Sequence, residues 1–195
     1  MTGSENAPSK NQLNVTGRRI RKRLEPGTLV LDGDQLDEDE RLVRRWRSMH
    51  SSSLAKTRNG LGTCVKRSLG RDSQAGLVVQ RLKRYDSIVA KLVRDKARLS
   101  EIQDIAGCRA VLPDLRTVGV VAACIEGARK MTVEGVRDYN ENPHAGGYRA
   151  LHLWCRRDDF KVEVQLRTGR QQQWAELVEE WDTTLGTDIK HELAP

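Results

Sequence analysis

The sequence predicts one domain of the α+β class, and three observations carry that reading. The segment FKVEVQLRT (160–168) alternates Phe160, Val162, Val164 and Leu166 with Lys161, Glu163, Gln165 and Arg167, the pattern of a strand with one buried face. The run YRALHLWC (148–155) precedes it closely enough to form a hairpin. Helical patterns stand apart from both: an acid-first, base-later stretch over 32–50, and an amphipathic stretch over 170–185 carrying Trp174, Leu177, Val178 and Trp181. With 195 residues, 37% hydrophobic and only 4% aromatic, the chain has material for one mainly aliphatic core and not for a second full domain.

Charge narrows the partners. A formal net charge of +7 and a pI near 9.5 favour nucleotides, nucleic acid or an anionic membrane surface, and fit a merely soluble basic protein equally well. The four cysteines, Cys64, Cys108, Cys124 and Cys155, lie outside metal-ligand spacing and predict free thiols in a reducing cytoplasm. The N-terminal stretch has no apolar leader pattern, and no run is long and apolar enough to span a bilayer, so a cytoplasmic protein with no membrane partner is expected.

Along the chain, residues 1–25 read as a basic, disordered tail and 26–195 as the domain with its N-terminal helices. The tail holds the cluster RRIRKR (18–23), with Arg18, Arg19, Arg21, Lys22 and Arg23, either a nucleic-acid address or a solvated run. Pro26-Gly27 signals a turn, and TLVL (28–31) a short extended piece. In the helix over 32–50, Asp37–Arg41 and Glu40–Arg44 are i,i+4 pairs, which gives Arg41 and Arg44 a structural role before any phosphate is invoked. Arg45 and Arg47 extend the same basic end. Gly60, Gly62, Gly70 and Gly76 are expected to interrupt any long element between 50 and 76.

LVVQRLKRYDSIVAKL fits two descriptions. One is a single amphipathic helix with apolar residues at 78, 82, 85, 89 and 92; the other is a strand over 77–81 followed by a helix capped near Asp86. CRAVL (108–112) reads as a buried strand, and Asp114 caps a helix reaching about Lys130. VEGVRDY (133–139) reads as a strand and NENPHAGG (140–147) as a loop. His50 and His191 stand alone and read as surface histidines.

The polar side of the hairpin is the main functional signal. An even loop between the strands aligns Leu153 and Cys155 with Val162, Val164 and Leu166, whereas an odd loop sets Leu153 opposite Glu163. With the even loop Tyr148, His152, Glu163, Gln165 and Arg167 share one surface. Taken alone this is an ordinary wet sheet face. DIAGCR (104–109) adds Asp104 at the entrance to a buried strand, with Gly107 and Arg109 behind it. Two carboxylates from neighbouring strands suit Mg²⁺ when a triphosphate supplies further oxygens. The plain alternatives for Asp104 are punctuation at the C-terminus of a helix or a salt bridge to Arg109. Arg81, Lys83, Ser87 and Lys91 surround a candidate helix start, where donors and cations favour phosphate. In isolation they are a solvated basic face.

RLKRYDSIVAKL, DIAGCRAV, GYRALH and VEVQLRTGRQQQWAE occur in order and together resemble the synthetase domain of the RelA/SpoT proteins in its small single-domain form, over about residues 75–182. The resemblance implies a mixed β-sheet flanked by helices, of nucleotidyltransferase-like fold, with a strand before residue 83. It implies transfer of pyrophosphate from ATP to a ribose 3′-hydroxyl with release of AMP. It places Arg81, Lys83, Ser87 and Lys91 on ATP phosphates and Asp104 and Glu163 on Mg²⁺, with Glu163 also near the attacking hydroxyl. Tyr148 would stack on the acceptor base, with His144, His152, Gln165 and Arg167 around it.

Alarmone-making members often carry Lys and Asn in the loop before GY, where this chain has His144 and Gly146. Toxic small members instead modify the 3′-terminal adenosine of tRNA, and the basic balance, the 18–23 cluster and Arg44, Arg45 and Arg47 lean this chain that way. A neutralising antitoxin protein would then be a partner. The alternatives are an alarmone synthetase acting on GDP or GTP, and a non-catalytic RNA-binding module.

Overall fold

The computed structural model describes residues 7–25, 33–70, 76–144 and 146–186. Five strands, β1 (Leu77–Leu82), β2 (Ala106–Leu112), β3 (Thr132–Asp138), β4 (Leu151–Arg157) and β5 (Phe160–Thr168), form one sheet in the order β1-β2-β5-β4-β3. β2 runs parallel to β5, and the other neighbours are antiparallel, so the sheet is mixed as expected. The helices are α1 (Lys10–Arg23), α2 (Gly33–Met49), α3 (Ser51–Leu69), α4 (Tyr85–Arg94), α5 (Leu115–Glu126) and α6 (Gly169–Leu185). The segment TLVL, the Pro26-Gly27 turn and His191 lie outside the described residues. No helix among the described residues is long and apolar enough to cross a membrane.

β4 and β5 join through the two-residue turn Asp158-Asp159, and the register sets Leu153 opposite Val164 and His152 opposite Gln165. The even loop therefore holds. Ala106, Cys108 and Ala110 of β2, Leu153 and Cys155 of β4, and Val162, Val164 and Leu166 of β5 are buried together under Leu54, Leu61 and Val65 of α3 and Val118, Val121 and Ile125 of α5. The opposite face, carrying Arg109, His152, Glu163, Gln165 and Arg167, is left for chemistry. β4 starts three residues later than the run YRALHLWC suggests, because Tyr148, Arg149 and Ala150 belong to the preceding loop. α5 stops at Glu126 rather than near Lys130, with Gly127 at its C-cap; Asp114 does cap its start, accepting from the Thr117 amide at 2.7 Å.

α3 is a single 19-residue helix where interruption was expected. Gly60 and Gly62 face open space, so their missing side chains cost only helix propensity. The helix ends at Gly70, whose φ of +86° suits glycine. Strand followed by helix is the correct description of 77–94, although Arg84 rather than Asp86 occupies the N-cap.

The N-terminal stretch is not a tail over 10–23. Ser9 and Gln12 make a reciprocal capping box, and Leu13 and Ile20 enter a second core with Val43 of α2, Ile88 and Leu92 of α4, and Leu99, Ile102 and Ile105. Gly17 permits close approach: a Cβ there would lie 3.1 Å from the Leu99 Cβ. Composition hid this helix because its apolar residues are few, yet they fall at 13 and 20 on one face, with the small residues Thr16 and Gly17 between them. The expected i,i+4 pairs Asp37–Arg41 and Glu40–Arg44 are present and exposed. His50 is buried rather than on the surface, packed between Trp46 and Phe160 with ring centroids 4.8 and 4.6 Å away.

The cysteine expectation is corrected in part. Cys64 of α3 and Cys124 of α5 form a disulfide across 60 residues of sequence, a separation that carries no spacing signal, while Cys108 and Cys155 are free and buried. Burial pushes both free thiols up to about 12, which makes them poor nucleophiles.

Asp39 joins α1 to α2. Its carboxylate is 1% exposed, accepts from Arg19 Nε at 3.1 Å, and pairs with Arg23 Nη2 at 2.8 Å. Asp39→Ala is therefore expected to cost roughly 2–3 kcal/mol, somewhat below the value for a fully buried pair because Arg19 is 38% exposed. Glu40→Ala one position on, whose partner is exposed, is expected to cost about 0–1 kcal/mol. Urea denaturation of the two variants side by side checks the contrast; equal losses would deny Asp39 its anchoring role.

Candidate active site

The site is built on the open face of the sheet. Alternation along β5 turns Glu163, Gln165 and Arg167 to this side, and pairing brings in Gly107 and Arg109 from β2 and His152 from β4. β1 adds Arg81, opposite Gly107. The chain then turns into α4, with the Lys83 amide bonded to the Ile105 carbonyl at 2.8 Å. This places Ser87 in the first turn of α4 and Lys91 one turn later. Arg47 of α2 braces the turn by donating to the Lys83 carbonyl at 2.7 Å.

Asp104 sits just before β2. Lys83 Nζ and Lys91 Nζ donate to its two oxygens at 2.9 and 3.0 Å. Burial by itself would raise this carboxyl, but the two ammonium groups outweigh it and hold it below its usual range. The partner expected from sequence, Arg109, is not the one it takes. Glu163 is treated alike: burial would raise its carboxyl, and hydrogen bonds from His152 Nδ1 at 2.9 Å and Gln165 Nε2 at 2.8 Å bring it below its usual range. Both carboxylates are thus ionised at neutral pH in a setting rich in cations.

The loop before β4 closes the far side. His144 and Tyr148 are tied by the His144 amide donating to the Tyr148 carbonyl at 3.3 Å, and Gly147 takes a φ of +82°. The Tyr148 ring lies under the Arg167 guanidinium, whose centre is 4.9 Å from the ring centroid, and meets Tyr139 and His152 edge-on. Burial pushes its hydroxyl up to about 12, so the phenol stays protonated.

All eleven residues singled out as catalytic, ATP-contacting or acceptor-contacting, from Arg81, Lys83, Ser87 and Lys91 through Asp104 to Glu163 and Arg167, line one cavity of about 770 Å³. Tyr139, Arg137 and Trp154 line it too and were missed. Arg137 faces His152 across the β3–β4 pairing, which is not readable before that register is known. Arg109 lines an adjoining cavity with Arg81, Asp104, Glu163 and Arg167. Burial, then the charges of Arg167 and Arg81, weaken its hold on its proton. Its side of β2 follows from alternation with Cys108 and Ala110, a signal present in the sequence and unused there.

The candidate nucleic-acid contacts divide. Arg19 and Arg23 are spent on Asp39. Arg44 pairs with Glu40 and lies over the Tyr85 ring, and Arg47 is engaged at Lys83. The Arg45 carbonyl accepts from the Ser48 hydroxyl within the last turns of α2. Arg18 and Arg21 instead line a separate cavity of about 340 Å³ with Lys96 and Arg98, and Lys22 is exposed beside them. That cavity shares Ala97 with the large one.

Comparison with known proteins agrees with this arrangement. The chain is 36% identical over 124 residues to the uncharacterised protein Rv1366 of Mycobacterium tuberculosis, a match covering 61% of this chain but only 44% of the relative. It is 29% identical over 127 residues to the GTP pyrophosphokinase YwaC of Bacillus subtilis, covering 58% of this chain and 60% of that protein. The chain therefore spans less than half of the first relative's length and 60% of the second's. In fold it is similar to the small alarmone synthetase 1 of Bacillus subtilis, solved with its product pppGpp, at a TM-score of 0.66 and 22% identity over 74% of this chain and 82% of that one. The family described as a region found in RelA / SpoT proteins matches residues 80–183, more than half of the chain. By that match, over the segment that builds the cavity, the chain belongs to the RelA/SpoT family.

Proposed function

We propose that the protein transfers the β,γ-pyrophosphate of ATP to a ribose 3′-hydroxyl and releases AMP. The observation that carries this is the convergence, in one cavity, of two ionised carboxylates, the cations Arg81, Lys83 and Lys91, and the aromatic ring of Tyr148. There is no activated Ser or Cys nucleophile in the set. Phosphoryl-type transfer needs none: positioning and charge stabilisation supply the rate.

In this reading Arg81, Lys83, Lys91 and Ser87 at the start of α4 bind the triphosphate. Lys83 and Lys91 already hold their ammonium groups in place on Asp104. Glu163 receives the proton of the attacking hydroxyl as the new O3′–P bond forms, and the bridging oxygen leaves with AMP. Tyr148 carries the acceptor base. Asp104 and Glu163 offer the hard carboxylate oxygens that suit Mg²⁺, with phosphate oxygens of the bound nucleotide and water as its further ligands. A bound Mg²⁺ would neutralise charge on the transferring phosphates.

For the acceptor, the reading is the 3′-terminal adenosine of tRNA. The support is the basic cavity of Arg18, Arg21, Lys96 and Arg98, which abuts the large one at Ala97 and lies where a free nucleotide has no need of it. Modified tRNA cannot be aminoacylated, so such an enzyme acts as a toxin and calls for a neutralising partner protein. GDP or GTP is the second reading, favoured by the likeness to a relative named a GTP pyrophosphokinase.

Glu163→Gln is expected to abolish transfer and leave the melting temperature within a few degrees, since Gln keeps the side chain's shape and a carbonyl oxygen for the His152 donor and gives up only the bond from Gln165 Nε2. Radiolabelled ATP with each acceptor, on the preparation used for melting, gives the answer; near-normal turnover removes Glu163 from the mechanism.

Tyr148→Ala is expected to raise the acceptor KM by one to two decades, as stacking on a base is worth about 1–3 kcal/mol, and to change ATP affinity much less. Steady-state kinetics in each substrate separates the two, and an equal loss for ATP places the ring elsewhere.

Replacing Arg18, Arg21 and Lys22 together by Ala is expected to weaken tRNA binding, leave ATP binding intact and flatten the salt dependence by roughly 0.9 per lost contact, taking duplex as the guide. Use of GDP should not change. Labelling of GDP or GTP with tRNA untouched makes the second reading correct, and no labelling with any acceptor leaves a non-catalytic RNA-binding module.

A further inference from the structure

Five side chains on the open face form a closed circuit. Arg167 Nη2 donates to the Tyr148 hydroxyl oxygen and to Gln165 Oε1, the latter at 2.8 Å. Gln165 Nε2 donates to Glu163 Oε2 at 2.8 Å. His152 completes the second arm, with Nδ1 2.9 Å from Glu163 Oε1 and Nε2 2.7 Å from the Tyr148 oxygen. Arg167 and His152 are both nearly buried, at 6% and 8% exposure.

The direction of every bond follows from its two poles. A guanidinium only donates, and an ionised carboxylate only accepts. Along the second arm, Nδ1 must therefore carry a hydrogen for Glu163. The Tyr148 oxygen already accepts from Arg167, so its own hydrogen is free to go to Nε2. This uses each atom once, with Nδ1–H the donor to Glu163 and Nε2 the acceptor from the Tyr148 hydroxyl. It also leaves neither ring nitrogen available to a ligand. The acceptor-contacting role expected of His152 from sequence does not fit this geometry.

We propose that His152 is a positioning residue that couples the Tyr148 ring to the Glu163 carboxylate, so that seating an acceptor on Tyr148 and aiming Glu163 are one event. The imidazole is rigid, with its two nitrogens at opposite ends. Movement of the phenol at Nε2 therefore moves the donor at Nδ1, and the carboxylate with it. A carboxylate that serves a metal or a reacting proton requires this kind of second support for its orientation. A base that stacks poorly leaves Tyr148, and through it Glu163, misplaced. Selection among acceptors then appears in turnover as well as in binding. The functional half of this proposal rests on the pyrophosphate-transfer reading above; the bonding half does not.

Two substitutions split the two bonds. His152→Asn keeps an amide donor at the Nδ1 position and loses the contact to Tyr148. His152→Gln reaches the Tyr148 hydroxyl with its carbonyl and loses the Glu163 donor. With both variants folded by thermal melting, each is expected to raise the acceptor KM and to lower kcat, each by about tenfold, because breaking either bond of the imidazole uncouples both ends. The ATP KM should stay constant in both. Tyr148→Phe should cost less on the His152→Asn background than in the wild type, because of its two bonds only the one accepted from Arg167 is still there to lose.

Side-chain ¹⁵N spectra of the unliganded protein test the bonding without any assay. The Nδ1–H form is expected for His152, with Nε2 shifting in Tyr148→Phe as it loses its donor. The Nε2–H form, or no response to Tyr148→Phe, overturns the proposal even if transfer is robust. A clean split, with KM alone changed in the Asn variant and kcat alone in the Gln variant, leaves two independent bonds and overturns the coupling. Should no acceptor be labelled by the wild-type protein, the transfer reading fails, while the ¹⁵N spectra still decide the circuit.

Discussion

The parity of the β4–β5 hairpin is the constraint on which the rest of the structure depends. A two-residue turn, Asp158-Asp159, sends Leu153, Cys155, Val162, Val164 and Leu166 to one side and His152, Glu163, Gln165 and Arg167 to the other. One residue more or fewer would set Leu153 against Glu163 and spoil core and cavity together. The turn is held accordingly. Asp158 adopts a φ of +52°, which Asp tolerates better than most side chains, and its carboxylate receives Lys56 at 2.9 Å and Ser53 at 3.3 Å from α3. The helix that covers the apolar face thereby also fastens the turn that defines it.

Given that parity, the cavity manages its charges by assigning each carboxylate fixed donors before any ligand arrives. Asp104 is held by two lysines, Glu163 by an imidazole and an amide. The lysines are held on a carboxylate and the carboxylates are kept ionised, so that in the proposed transfer little reorganisation would be left for the reacting step. The same device fastens the N-terminal helices, where buried Asp39 holds Arg19 and Arg23. There it contributes stability rather than chemistry. It also divides the basic residues of α1: one side is neutralised against α2, the other turns Arg18 and Arg21 outward beside Lys96 and Arg98.

Much of this was legible from local pattern. Period-two alternation in 160–168 exposed the strand, its buried face and the polar set that lines the cavity. The hairpin loop could be reasoned from matching apolar faces. Asp114 announced α5, and the acid-first run announced α2. Misreadings arose where a residue's environment is supplied by distant parts of the chain. α1 looked like a solvated tail because only Leu13 and Ile20 mark its buried face, and the pocket that receives them is built by residues 43 to 105. α3 looked broken because Gly60 and Gly62 weaken a helix, yet its packing on the sheet through Leu54, Leu61 and Val65 overrides that weakness. The Cys64–Cys124 bond joins residues too far apart for spacing to suggest it.

The sequence by itself determined the elements whose cause is local: the alternating strands, the capped helices, and the residue types that phosphate, base and metal chemistry need, in the order RLKRYDSIVAKL, DIAGCR, GYRALH and VEVQLRT. Only the tertiary structure decided which partner each charged group takes. It gave Asp104 to Lys83 and Lys91 rather than to Arg109, removed Arg19 and Arg23 from the available cations, and occupied both nitrogens of His152. The reason is physical. Backbone preference is set within a few residues, whereas the hydrogen bond or ion pair of a long polar side chain is settled by whatever group from another element lies within about 3 Å of its end, and that distance is written in the packing.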